Sequence, residues 1–249
     1  ATKLLAYWKT CQVEQLSHAE FREETFVSLQ RLIELCPQHE AQKTWRRLVA
    51  AIRRRESNRL TREALKHAEK DPESQNPQAM QLFQHAKNLD PRNHNAFREH
   101  ARFCHQASEA LTNATRAIKL EPEDSRNWLT RAEIYIQVAP RKSLLDATKA
   151  VSTAQNLQQR VRALSLRAEA HSRLADYFSA VQDLTTCLGL TDEVSLWEQR
   201  AQIHGRFRHY DESIADYEKV VLHYRKSGHP EHVHRVRGLI RRLQLLKRG

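Results

Sequence analysis

The sequence predicts an all-α protein, an α-solenoid of antiparallel helical hairpins with about 12–14 helices and a C-terminal capping helix, and three observations carry that reading. Only five glycines and seven prolines punctuate 249 residues, too few for the tight turns of a many-stranded fold. The stretches between turn signals are filled with Ala, Leu, Gln, Glu, Lys and Arg, all strong helix formers. Four segments also repeat one pattern: FREHARFC from Phe97, WLTRAEIY from Trp128, LSLRAEAH from Leu164 and WEQRAQIH from Trp197. Their alanines, Ala101, Ala132, Ala168 and Ala201, lie 31, 36 and 33 residues apart, a period that suits a helical hairpin.

Residues 1–72 read as degenerate N-terminal hairpins. Trp8, Phe21, Phe26, Leu29, Leu32, Ile33 and Pro37 fit one, and Trp45 through Pro72 fits another. Within the second, Trp45, Leu48, Val49 and Ile52 keep helical spacing between Arg46, Arg47, Arg53, Arg54 and Arg55, so the arginines form a solvated face. Asp71-Pro72-Glu73-Ser74 with Pro77 reads as a loop.

Residues 73–228 form the repeat array. Each first helix carries a bulky residue, then His or Arg, Ala, and a Cys, Tyr or His on one face. The accompanying helices place small residues at close-packing spacing: Ala79-Phe83-Ala86, Ala110-Ala114-Ala117, Ala180-Leu184-Cys187 and Ser213-Tyr217-Val220. Ala132, Ala168 and Ala201 are therefore expected to be buried against the second helix of their own hairpin. Asp90-Pro91 and Glu121-Pro122 close two units, and Asp192 stands where a third proline would fit. At 229–249, Pro230 precedes a basic capping helix over about 231–247. Its stripe is Val233, Val236, Leu239, Ile240, Leu243 and Leu246, with Arg235, Arg237, Arg241, Arg242 and Arg248 outside it.

With Trp128, Ala132, Ala147 or Ala150, Tyr135, Tyr177, Tyr210, Pro91 and Pro122 in place, the segment from about 79 to 220 resembles a tetratricopeptide-repeat array. It departs where His100, Arg131, Arg167 and Arg200 replace the family's usual leucine, in its 31-residue unit, and at Pro140-Arg141-Lys142. Half-a-tetratricopeptide repeats are a competing label for residues 1–72. The resemblance implies a concave groove, lined by the first helices, that holds an extended peptide or a partner helix. Carried over residue by residue, the lining is Asn95, Arg98, Arg102, His105, Arg126, Thr130, Glu133, Gln137, Arg162, Leu166, Glu169, Arg173, Glu198, Gln202 and Arg206. Chaperone-binding members clamp a C-terminal carboxylate with lysines, asparagines and an arginine. The corresponding places here hold Arg98, Arg102, Thr130, Arg162 and Leu166, so that specificity is not expected.

The net charge of +11 is concentrated in two segments. Residues 39–70 carry ten Lys or Arg against four acids, and residues 225–249 carry eight against one. Such ends suit acidic protein surfaces or phosphates. Cys11, Cys36, Cys104 and Cys187 have neither zinc-knuckle nor disulfide-framework spacing, which points to a reducing intracellular compartment, cytoplasm or organelle matrix. No apolar run approaches the roughly 20 residues of a membrane span. The glycines cannot form a phosphate-cradling loop, and no nucleophile–base pair emerges, so neither a catalytic residue nor a cofactor is expected. His229, His232 and His234 tempt a metal assignment, but His232 and His234 point to different faces of a helix, and no metal site is expected. The expected function is a non-catalytic protein-interaction scaffold or adaptor, a subunit or assembly factor of a larger complex. The alternative is an RNA-associated repeat protein whose basic ends meet phosphates.

Overall fold

The computed structural model describes residues 41–70 and 76–248; the hairpin expected over Trp8–Pro37 and the loop at Asp71–Ser74 lie outside them. Among the described residues are eleven helices and no strand: α1 (Ala41–Ala68), α2 (Pro77–Leu89), α3 (His94–Phe103), α4 (Ala107–Leu120), α5 (Ser125–Val138), α6 (Pro140–Ser152), α7 (Leu157–Arg173), α8 (Tyr177–Leu190), α9 (Val194–Arg206), α10 (Tyr210–Lys226) and α11 (Pro230–Arg248). Consecutive helices pair as α1/α2, α3/α4, α5/α6, α7/α8 and α9/α10, with α11 against α10. Each hairpin also touches the next; the first helices α1, α3, α5 and α7 contact one another in series, and α7 is bonded to α9 through Ser165 with Gln199 and Ser172 with Arg206. The fold is an all-α solenoid of the tetratricopeptide-repeat type.

Two boundaries differ from the sequence reading. The 45–72 segment is not a hairpin of its own, because α1 runs unbroken for 28 residues and pairs with α2. It contains no glycine or proline, so nothing interrupts its backbone ladder. Pro77 belongs to a helix rather than a loop. It opens α2 behind Asn76, whose side chain accepts from the backbone N–H groups of Gln78 and Ala79. Pro140 likewise opens α6, leaving Ala139 as the only residue between α5 and α6. Asn93, Asp124, Asn156 and Asp176 cap α3, α5, α7 and α8 in the same manner.

Small residues set the helix spacing. Ala101, Ala132, Ala168 and Ala201 are buried, as are the triplets at Ala79, Ala110, Ala180 and Ser213. Close approach lets a hydroxyl reach a neighbouring helix: Ser143 Oγ donates to the Ala132 carbonyl at 2.8 Å, and Ser213 Oγ to the Ala201 carbonyl at 2.7 Å. Each bond ties the second helix to the first-helix alanine and satisfies a buried polar group. Ala168 packs with Ala180 and Leu184 of its own hairpin.

The capping helix lays Val233 and Val236 into a cluster with Ala201, Tyr217 and Val220, joined by Leu239, Ile240 and Leu243. The stripe stops there, since Leu246 is 52% exposed. Leu243 lies over Gly205, in the last turn of α9, and α9 ends at Arg206, so little remains beneath the final turn of α11.

Candidate partner-binding groove

The first helices carry charge on their exposed face, and most of it is paired. In α5 and α7, Glu133 accepts from Arg162 Nη2 at 2.5 Å and Glu169 from Arg173 Nε at 2.8 Å. Arg206 of α9 reaches back to Ser172 Oγ at 2.6 Å and lies 3.9 Å from Glu169. Arg235 of α11 donates to Glu198 Oε1 at 2.8 Å. Each glutamate is thus met by a guanidinium from its own helix or a later one, in geometry that suits carboxylates.

Between α3/α4 and α5/α7 this face opens into a cleft of about 430 Å³, whose lining includes Arg102, His105, Thr130, Glu133, Ile134 and Arg162. Five of these six are residues the sequence assigned to the groove. Arg102, His105 and Arg162 are exposed, whereas Thr130 is buried in the cleft wall, its hydroxyl donating to the Arg126 carbonyl. Arg98 does not line the groove. Its guanidinium is buried in a junction, donating to Glu99 at 2.9 Å and Asp124 at 3.2 Å. Arg126 and Arg102 extend that junction through Asp124 and Glu99, at 2.8 and 2.7 Å. Burial pushes the Asp124 carboxyl up, but the Arg126 hydrogen bonds and the Arg126 and Arg98 charges outweigh it and hold it below its ordinary value. Asn95, Leu166, Glu169 and Glu198 are partly exposed, and Gln137, Arg173, Gln202 and Arg206 more exposed, strung along the same helices.

The basic ends lie apart from this cleft. Arg46, Arg53 and Arg54 line a second one of about 440 Å³ with Arg92 and Asp90. Arg47 and Arg55 are exposed on the same helix. At the other end Arg237, Arg241 and Arg242 are exposed. Among the described residues, no helix is long and apolar enough to cross a membrane.

Sequence reasoning missed how the hairpins fill the place where leucine was expected. Arg131, Arg167 and Arg200 each donate two bonds to an aspartate on the partner helix, Asp146, Asp183 and Asp216, at 2.6–2.8 Å. In the α3/α4 hairpin the same place is His100 opposite Asn113, and Lys87 of α2 bridges them, 2.5 Å from His100 Nδ1 and 3.0 Å from Asn113 Oδ1. Burial lowers the Lys87 pKa against the pull of Glu109. Burial, then the Lys87 charge, depress His100 to about 4. The last marked position of the repeated segments holds Cys104, Tyr135, His171 or His204, and Tyr177 Oη lies 2.9 Å from His204 Nδ1. Near the C terminus, His229 and His232 lie close together and Tyr224 stacks on His232, but His234 is exposed and does not join them in a three-donor metal group.

This architecture, stacked antiparallel hairpins with alanine-lined seams, defines the tetratricopeptide-repeat fold, and the comparisons agree. The structure is similar to a thermophilic tetratricopeptide-repeat protein from Thermus thermophilus, at a TM-score of 0.59 and 17% identity over 76% of this chain and 99% of that one. It is similar also to PilF of Pseudomonas aeruginosa, with a TM-score of 0.61 and 13% identity over 77% and 93% of the two chains. A tetratricopeptide-repeat protein from Parabacteroides merdae matches 90% of this chain and 91% of its own, at a TM-score of 0.51 and 15% identity. No protein-family model and no curated protein matches the sequence.

Proposed function

We propose that the protein is a non-catalytic interaction scaffold or adaptor, a subunit or assembly factor of a larger complex, that holds an extended acidic segment of a protein partner in the α3–α7 cleft. The observation that carries this reading is the cleft itself, where Arg102, His105 and Arg162 stand exposed around a volume of about 430 Å³ that also has apolar wall at Ala101, Ala110 and Ile134. Glu99 and Glu133 hold the Arg102 and Arg162 guanidinium groups in place, so little side-chain freedom is lost when their remaining N–H groups bind an incoming carboxylate. In this reading residues 1–72 extend the array at one end and 229–249 cap it at the other.

A short acidic peptide should bind in fluorescence anisotropy, and Arg162→Glu should weaken it at least about tenfold while leaving the helical circular dichroism unchanged. Equal affinity for wild type and both Arg102→Glu and Arg162→Glu variants would remove the cleft from the proposal. One observation favours a second reading: four arginines, Arg46, Arg53, Arg54 and Arg92, line the α1–α2 cleft. If phosphates of single-stranded RNA dock there and at the C-terminal arginines through roughly six contacts, log affinity should fall with log salt at a slope of about −4. Absence of RNA binding at about 50 mM salt, where non-specific contacts are strong, would eliminate it.

A further inference from the structure

His100, Cys104 and Glu109 form a group unlike any other among the described residues. One donor atom from each lies within 4.8 Å of the other two. His100 Nε2 is 3.6 Å from Glu109 Oε1, and Cys104 Sγ is 3.7 Å from Glu109 Oε2. Zinc bonds of roughly 2.0–2.3 Å arranged tetrahedrally put ligand atoms about 3.5 Å apart, close to the two separations from the Glu109 carboxylate and within a small adjustment of the third. We propose that His100, Cys104 and Glu109 bind a divalent transition metal, zinc by preference, with a water in the fourth position.

The surroundings support this. His100 and Cys104 are one helical turn apart at the end of α3, and the three-residue link Cys104-His105-Gln106 brings Glu109, in the first turn of α4, to face them. Equivalent places in the later hairpins hold Arg131 with Tyr135, and Arg167 with His171, which cannot supply the same donor set. The His100 and Cys104 side chains are buried, while the Glu109 side chain is 42% exposed and Cys104 lines the α3–α7 cleft, so the site has a route of entry. Thiolate, imidazole and carboxylate together select zinc over magnesium or calcium, which prefer oxygen ligands. Lys87 Nζ lies 2.5 Å from Nδ1, the ring nitrogen opposite the donor, and holds the orientation of the imidazole.

Cobalt(II) tests the site, because a cysteine thiolate ligand gives it a near-ultraviolet charge-transfer band. Titrating the full chain, stripped of metal and kept reduced with a non-thiol reductant, should develop that band to one equivalent, and zinc should abolish it by displacement. Cys104→Ser should lose the band, whereas the combined replacement of Cys11, Cys36 and Cys187 by serine should keep it. No band in the wild type, or a band that survives Cys104→Ser, overturns the proposal. Should Cys104→Ser fail to fold, Glu109→Gln at its half-exposed position decides instead: cobalt affinity should fall at least about tenfold, and unchanged affinity counts against the site.

Discussion

The α3/α4 hairpin and the three that follow it meet one packing problem with different chemistry. In all four, a first helix presses a small alanine against its partner and leaves room one residue before it for a longer side chain. In the later hairpins that side chain is arginine, closed by two bonds onto Asp146, Asp183 or Asp216. In α3/α4 it is His100, with Asn113 in place of aspartate and a lysine borrowed from α2. The arginine–aspartate forks close within their hairpins, and Arg131 and Arg200 also donate back to Thr115 and Thr185 of the preceding one. The His100 cluster reaches the preceding hairpin through a buried lysine instead, and its groups are open to protons and to metal. A repeat fold thus keeps its spacing while one unit exchanges a structural ion pair for groups capable of binding chemistry.

The largest expected effect tests whether the forks are structural. Asp183→Ala leaves Arg167 without its carboxylate beside the hairpin core and should cost about 3 kcal/mol in urea unfolding, since the lone charge stays largely buried. Replacing both partners, Arg167→Leu with Asp183→Leu, should recover most of that loss, because paired removal of a buried ion pair by apolar groups is often neutral. A double variant as unstable as the single one would mean that the pair does more than fill space.

The next effect separates the α3/α4 hairpin by its pH dependence. His100 titrates at about 4 in the fold against an ordinary 6.5, so the folded state favours the neutral ring. The sign follows: its contribution is intact above about pH 6.5 and is lost as pH falls toward 4, amounting to about 2 kcal/mol by pH 5. Burial likewise lowers His204, which adds loss of the same sign from the α9/α10 hairpin. His100→Gln should flatten the difference between unfolding free energies at pH 7 and pH 5 relative to wild type. An unchanged difference would show that His100 is not the group responsible.

Much of the fold was legible because its signals are local and periodic. The alanines and second-helix triplets announced the seams, and every one is buried. The partner of each arginine was legible in principle: Asp146, Asp183 and Asp216 recur 15 or 16 residues after Arg131, Arg167 and Arg200, but a search for apolar periodicity passes over them. The groove was read by carrying the inner face of a tetratricopeptide-repeat array onto the first helices. That locates Arg102, Thr130, Glu133 and Arg162 at one cleft, yet it misplaces Arg98, whose fate depends on Asp124, an N-cap outside its own hairpin. The His100–Cys104–Glu109 group was illegible as spacing, because it arises from a short link between two helices rather than from a motif within one. The capping helix itself was read close to its observed bounds, Pro230–Arg248, but its buried stripe was carried one turn too far, to Leu246, since sequence shows a stripe but not where the supporting helix ends.

The smallest expected effect concerns the turns inside the hairpins. Ala175, Arg208 and Gly228 have positive φ, at 62°, 64° and 74°. Each follows a helix end whose next N–H bonds back five residues, Asp176 to His171, His209 to His204 and His229 to Tyr224. That is the C-terminal arrangement in which glycine is preferred, because a Cβ in the left-handed region costs about 1 kcal/mol or more. Only Gly228 has the favoured residue, and a Cβ added there would meet no neighbour within 4 Å, so Gly228→Ala isolates the backbone cost. Ala175→Gly and Arg208→Gly should each stabilise the protein by about 0.5–1 kcal/mol, and Gly228→Ala should destabilise it by a similar amount. The α3–α4 link has no positive φ, so His105→Gly should go the other way and cost about 0.5–1 kcal/mol through the freedom it gives the unfolded chain. Thermal unfolding of the four variants checks the set together. If His105→Gly stabilised the chain as Arg208→Gly does, the α3–α4 link would share the turn that follows α7 and α9, and the distinct link that brings Glu109 to His100 and Cys104 would lose its basis.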